Sequence, residues 1–267
     1  MHVAELYIYP VKSCGRVSVD SVTVEPRGLA GDRRYMLVDE KGRFVTQRRH
    51  PRMALLRVEH TDRGFTLRAP GMDSLQLEAA LLSGPQRTVS VWHSEVEALV
   101  AAESINAWFS AFMGFPAQLV FMDERCERIL KAGRGEPGDQ VSFADGAPLL
   151  LISDASLAEL NRRLARPVTM ERFRPNLVVS ADQPFAEDGW QFIRIGEAEF
   201  EVAWACTRCV MTTVDPASGD KDRGGEPLAT LGAFRRVREG IVFGQNLIPR
   251  RLGRVQVGDR VELLETL

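Results

Sequence analysis

Cys206-Thr207-Arg208-Cys209 is the segment best equipped for chemistry. It ends an alternating run, Phe200 to Ala205, and is followed directly by Val210-Met211-Thr212-Thr213-Val214-Asp215-Pro216. A thiolate is both a soft metal ligand and a strong nucleophile, and a neighbouring arginine such as Arg208 favours the ionised form. The spacing leaves other uses open. Two thiols at a strand end can be small core hydrophobes. A structural zinc site needs a second ligand pair, and Cys14, Cys126, His2, His50, His60 and His93 are scattered without forming one. A redox dithiol is expected at a strand-to-helix turn, whereas the β-branched residues after Cys209 read as a second strand closed by an Asp-Pro turn.

Four further segments carry polar groups at points where the chain must bend. Tyr9-Pro10-Val11-Lys12-Ser13 sets a lysine and a hydroxyl just after a strand broken by proline. Gly31-Asp32-Arg33-Arg34-Tyr35 sets an acid and two arginines at a strand entrance. Phe173-Arg174-Pro175-Asn176 holds an arginine stiffened by the following proline. Phe243-Gly244-Gln245-Asn246 puts two amides beside a glycine that would let a ligand approach the backbone. Singly, each has an ordinary reading: surface decoration for Lys12, a weak surface ion pair for Asp32 and its arginines. Together they would form a shell for a ligand with a phosphate, a heteroaromatic ring and a soft metal.

The elements that must position these groups are mostly β. Candidate strands are Val3 to Tyr9, Arg34 to Asp39, Phe44 to Gln47, Leu55 to Thr61, Phe65 to Arg68 and Thr88 to Trp92. The turns Glu40-Lys41-Gly42-Arg43 and Asp62-Arg63-Gly64 separate two pairs of them. Many short strands with tight turns predict a barrel or sandwich. A helix is predicted over Ala102 to Met113 from the spacing of Ile105, Trp108, Phe109 and Phe112, with Gly114 ending it. A strand at Ala117 to Phe121 follows, and the domain boundary is set there, giving residues 1–120 and 121–267. The glycine-rich stretch Asp123 to Gly138 reads as a mobile loop with solvated arginines. Beyond it come a strand at Pro148 to Ile152, a helix at Asp154 to Leu164 capped by Ser153, and strands at Asn176 to Ser180, Phe192 to Ile195 and Phe200 to Ala205. A strand, turn and strand run from Arg254 to Leu264. The glycine-flanked turn Gly219 to Gly225 fits a flexible loop beside the substrate and a plain solvated loop about equally.

With 267 residues, a hydrophobic fraction of 45% and a net charge of −2, the chain is of globular type with no global attraction for nucleic acid or anionic membrane. Only four of the 34 basic residues are lysine, so local cationic sites are built from arginine, whose planar fork suits phosphate and carboxylate. No apolar stretch is long enough to span a bilayer, and the N-terminus lacks signal-peptide character. Four cysteines are too few for a disulfide scaffold, so a cytoplasmic location is expected.

In their order along the chain, Tyr9-Pro-Val-Lys-Ser13, Gly31-Asp-Arg33, Phe173-Arg-Pro-Asn176, Cys206-Thr-Arg-Cys209-Val-Met-Thr-Thr-Val-Asp-Pro216 and Phe243-Gly-Gln-Asn246 resemble the MOSC family. The family is named for the C-terminal domain of molybdenum cofactor sulfurases. Within the family the chain resembles the bacterial YcbX-type and mitochondrial amidoxime-reducing members. The resemblance spans the whole chain and implies an N-terminal MOSC β-barrel region followed by a MOSC β-barrel domain, mostly β with a few helices.

It further implies a molybdenum–molybdopterin cofactor, with Cys209 as the metal ligand and Cys206 as a second cysteine off the metal. By the same matching, Lys12, Ser13, Arg33 and Arg174 would hold the pterin and its phosphate, with Asn176 close by. Thr207, Arg208 and Asn246 would line the metal end, Arg208 as an electrostatic neighbour, and Asp145 would contact the pterin. The expected activity is reduction of N-hydroxylated compounds such as hydroxylaminopurines and amidoximes. The C-terminal ferredoxin-like domain of YcbX-type relatives has no counterpart before Leu267. No iron–sulfur cluster is therefore expected in this chain, and a separate ferredoxin-like protein or flavin reductase would supply electrons. A molybdopterin carrier, or a carrier of persulfide sulfur on Cys209 or Cys206, is the alternative.

Overall fold

The computed structural model describes residues 1–78, 82 and 84–266. The largest sheet has nine strands. It runs from Val261–Thr266 through Trp190–Ile195, Ala198–Thr207, Gly240–Arg251, Leu149–Ser153, Leu177–Val179 and Val3–Ile8 to Val17–Ser18, with Arg236–Val237 paired on Gly240–Arg251. The neighbours whose register is defined are antiparallel except Leu149–Ser153 with Leu177–Val179, which the helix Asp154–Arg163 connects. A four-stranded sheet orders Tyr35–Val38, Gln118–Phe121, Ser94–Val100 and Gln86–Val91, and two three-stranded sheets complete the fold. The chain is mostly β, as its alternation predicts.

The first strand lies inside the large sheet, with Leu6 opposite Leu177. Strand Gly253–Gln256 in turn pairs with Ser21–Glu25. Segments from both ends of the sequence are therefore interleaved, and the main core joins Val3, Leu6 and Ile8 to Leu149, Leu177, Phe200 and Leu247. Burying such aliphatic side chains contributes roughly 1.5–3 kcal/mol each. Among the described residues no helix is long and apolar enough to cross a membrane.

Local chemistry explains most boundaries. Ser153 caps its helix by accepting from the Ser156 amide, and Gly114, at φ 77°, ends the helix Glu103–Met113. Several expectations fail for identifiable reasons. Phe44 to Gln47 makes only a bridge to Val38 and then turns, because the Thr46 carbonyl accepts from both Arg49 and His50. Leu55 ends a short 3-10 helix, Pro51–Leu55, opened by proline. The β-branched run after Cys209 is also a 3-10 turn, Val210–Thr213, and not a strand. There Thr212 Oγ1 donates to the Cys209 carbonyl at 3.0 Å and Thr213 Oγ1 to that of Val210 at 2.8 Å, so the hydroxyls override strand propensity. Ser94–Val100, Gly240–Arg251 and the helix Leu228–Phe234 join the elements read from the sequence.

Gly244 carries φ 80° within the long strand, and an added Cβ would lie 2.5 Å from Ile152 Cγ1 and 2.7 Å from the Leu151 carbonyl oxygen. Its missing side chain thus serves packing against the neighbouring strand and not the approach of a ligand.

Candidate functional site

One cavity of about 400 Å³ is lined by residues from both ends and the middle of the chain. All ten nominated side chains border it: Lys12, Ser13, Arg33, Asp145, Arg174, Asn176, Thr207, Arg208, Cys209 and Asn246. Arg48, Trp92, Arg172, Trp204 and Cys206 are also on its wall. Six cationic side chains therefore face a single carboxylate, Asp145.

The loop after the first strand turns its polar groups inward. Lys12 is 4% exposed, and its ammonium donates to the Phe143 carbonyl at 2.6 Å and to Asp145 Oδ1 at 2.5 Å. Burial brings its pKa down to about 8, against the opposing pull of Asp145. This is not the surface lysine that its place at a strand end suggests. Asp32 is equally far from a surface ion pair. It is 1% exposed, accepts from the Tyr9 amide at 2.8 Å and pairs with Arg33 at 2.7 Å.

Arg33 also donates to Asn176 Oδ1 at 3.0 Å and to the Arg174 carbonyl at 3.2 Å. Asn176 spends its amide within the protein, accepting from Leu150 N and donating to the Tyr7 carbonyl, so it braces the strands that carry the arginines. Arg174 donates through Nη1 to the Cys14 carbonyl at 2.6 Å, while its buried Nη2 has no partner. Both the Arg33 and Arg174 guanidinium carbons lie 4.2 Å from the centroid of the buried Tyr9 ring. An aromatic face shared in this way offsets part of the repulsion between two cations.

Backbone strain gathers here. Ser13, Arg33, Trp92 and Arg174 have φ between 48° and 68°, four of the five non-glycine residues on the left-handed side among the described residues, and all four line the cavity. Such conformations cost on the order of 1–3 kcal/mol each and persist where surrounding contacts enforce them.

At the other end, Cys206 lies in strand Ala198–Thr207 and Cys209 caps the 3-10 turn Val210–Thr213. Arg208 reaches Cys206 Sγ at 3.0 Å and the Phe173 carbonyl at 2.6 Å, leaving its buried Nε unpartnered. The guanidinium at Cys209 belongs to Arg48, whose Nε is 3.3 Å from Sγ. Arg172 holds the far end of the turn through the Thr213 carbonyl at 3.1 Å and Asp215 at 2.8 Å.

Asp145 connects the two ends. Burial alone would raise its pKa, but Lys12 and Arg48, at 2.5 Å each, hold it far below the usual carboxylate range. Trp92 Nε1 donates to it at 3.1 Å. Its loop is anchored by Arg128, whose Nη1 reaches the carbonyls of Ser142 at 2.8 Å and Ala144 at 2.6 Å. Arg128 is 7% exposed, which corrects the expectation that every arginine of the 123–138 stretch is solvated. Arg134, from the same stretch, is exposed and lies 4.8 Å over the ring of Trp204.

Orphaned guanidinium nitrogens on Arg174 and Arg208, beside a surplus of five positive charges, fit an anionic ligand. Among the described residues no three His, Cys, Asp or Glu side chains converge as a metal cage. A metal held by Cys209 would therefore need further donors from a ligand that brings its own, which a dithiolene-bearing pterin phosphate does. Arg172, Trp92 and Trp204 lie in or beside readable segments, whereas nothing in the sequence singles out Arg48.

Two family descriptions match the chain: a MOSC N-terminal beta barrel domain over residues 1–116 and a MOSC domain over residues 138–262. Mitochondrial amidoxime reducing component 2 of Bos taurus is 35% identical over 279 residues, covering 97% of this chain and 82% of that protein. Mitochondrial amidoxime-reducing component 1 is 36% identical in Mus musculus and 34% identical in Homo sapiens, each match covering 98% of this chain and 82% of that protein.

Proposed function

The chain belongs to the MOSC family, with both its N-terminal β-barrel domain and its MOSC domain, and on that premise we propose that it is a molybdenum-cofactor oxidoreductase acting on N-hydroxylated compounds. The observation that carries this reading is the convergence of the ten nominated residues, Cys209 among them, from distant segments on one cationic cavity. The names of the relatives supply the substrate class, amidoximes, and hydroxylaminopurines share the same N–O bond. Electrons come from a separate donor protein in this proposal.

Lys12, Ser13, Arg33 and Arg174 would take the pterin phosphate, for which Arg174 Nη2 has a free donor. Lys12 keeps its proton at pH 7, below its pKa of about 8, and so remains a cation for that anion. Asn176 fixes the strands bearing Arg33 and Arg174. Asp145 would face the pterin with its carboxylate ionised. Cys209 Sγ would ligate the metal, with Thr207, Arg208 and Asn246 around it. When bound, the cofactor supplies the two-electron chemistry, and reduction of an N–OH group to N–H and water consumes two electrons and two protons.

The test is the molybdenum and pterin content of protein made in a host that synthesises the cofactor, paired with amidoxime reduction. Near-stoichiometric metal and turnover in wild type, with turnover abolished in Cys209→Ala, is the expected result. Well-folded wild type without metal or pterin would overturn the proposal.

A further inference from the structure

We infer that Arg48 is a positioning residue at the reacting end of the cavity, holding the Cys209 sulfur and the Asp145 carboxylate in fixed relation to each other. Arg48 comes to the site because the chain turns at Thr46 instead of continuing as a strand. Its Nε lies 3.3 Å from Cys209 Sγ, its Nη2 2.5 Å from Asp145 Oδ2 and its Nη1 3.2 Å from Thr46 Oγ1. All three nitrogens are engaged. The guanidinium carbon is 4.7 Å from the Trp92 ring centroid, and the Arg48 carbonyl accepts from Lys221 at 2.8 Å.

The side chain is only 20% exposed, so it is held from several sides. Among the described residues no other side chain donates to Cys209 Sγ. A planar fork fixes two partners at a set angle, which an ammonium on a flexible stem does not. Lys12, Asp145, Arg48 and Cys209 thereby form one continuous relay from the cationic end of the cavity to the sulfur end. Removing Arg48 would free the Cys209 side chain to rotate and strip Asp145 of one of its two cations. The phosphate end, built on Arg33 and Arg174, would be left as it is.

This inference rests on the reading of Cys209 as the metal ligand, and the experiment separates the two. Wild type, Arg48→Leu, Arg48→Lys and Cys209→Ala are prepared with cofactor. Each is measured for molybdenum, pterin, sulfur neighbours of the metal by X-ray absorption, and kcat and KM for benzamidoxime with a reduced viologen as donor. Arg48→Leu is expected to keep pterin within about twofold of wild type and KM within about threefold, while kcat falls about tenfold or more. Its sulfur count should move toward that of Cys209→Ala, and Arg48→Lys should recover part of kcat. Wild-type kcat and sulfur count in Arg48→Leu, or a kcat loss that merely follows lost pterin, would overturn the inference. Arg48→Gln replaces Arg48→Leu if the latter fails to fold.

If wild type holds neither metal nor pterin, the cofactor reading fails by itself. Arg48 is then judged on the cofactor-free protein by iodoacetamide labelling, resolved by peptide mass. A labelling rate at Cys209 altered about threefold or more in Arg48→Leu, with Cys206 unaffected, supports the contact. An unaltered rate overturns it.

Discussion

The two ends of the cavity are built in different ways. At the cationic end, Arg33 and Arg174 sit in left-handed backbone, share one buried tyrosine ring and are braced by a carboxylate, an amide and two main-chain carbonyls. At the sulfur end, Cys209 stands on a four-residue 3-10 turn closed by two threonine hydroxyls and steadied by arginines from other segments. The first is over-determined and suited to binding without rearrangement. The second has few contacts of its own and depends on side chains that reach it from distant segments.

The sharpest way to break this contrast is to remove one carboxylate from each construction. Asp32→Ala should cost about 3–5 kcal/mol of stability, since it takes the only carboxylate among the described residues from a largely buried guanidinium, Arg33, and leaves the buried Tyr9 amide unpaired. Asp145→Ala should cost less, about 1–3 kcal/mol: the Asp145 side chain is itself 41% exposed, but buried Lys12 loses its carboxylate and keeps only the Phe143 carbonyl. Urea denaturation measures both, and equal losses would remove the distinction.

Tyr9 offers a second cut. Tyr9→Leu should destabilise by about 2–3 kcal/mol and weaken inorganic phosphate binding to the cofactor-free protein, because the arginines lose their shared ring. Tyr9→Phe should stay within about 0.5 kcal/mol of wild type, as the buried hydroxyl has no partner to lose. At the sulfur end, Thr212→Val and Thr213→Val should each cost about 1 kcal/mol, with faster amide exchange confined to the cysteine turn.

Lys12 gives the smallest and most diagnostic effect, through pH. Below pH 8 it is protonated in both folded and unfolded chains and contributes no slope. Between about 8 and its ordinary 10.5 the unfolded chain binds more protons, so this group makes stability rise with pH. Over the same window the cavity loses a cation, and phosphate affinity should fall. Isothermal titration across pH 7–10, beside thermal unfolding, would show the two trends diverging in wild type and not in Lys12→Met.

Much of this arrangement was legible from residue order. Alternation located most N-terminal strands, the spacing of Ile105 and Phe109 located a helix, and five short motifs named nine of the ten nominated residues that line one cavity, Asp145 being the tenth. What remained hidden depended on partners distant in sequence. Arg48 sits in an arginine-rich stretch with no recognisable pattern, and only the fold brings it to a cysteine 161 positions away. Lys12 and Asp32 are buried because the residues that pair with them converge there, which local polarity does not reveal. Gly240–Arg251 evaded periodicity because Gly244, Gln245, Asn246 and Pro249 interrupt its apolar alternation, while Val210–Thr213 has strand-like composition redirected by its own hydroxyls.

The interleaving of the chain's ends sets an order of events during synthesis. Strand Val3–Ile8 emerges early but pairs with residues 177–179, and Arg254 closes onto Ser21 across 233 positions. Cavity residues run from Lys12 to Asn246, so no N-terminal fragment that stops short of residue 246 contains the whole site. Folding dominated by such distant pairings is slow, and its unpaired strand edges stay exposed while it proceeds. Any ligand that needs both ends of this cavity must wait until the strand bearing Asn246 has paired, so loading follows the late pairings and cannot guide the early ones.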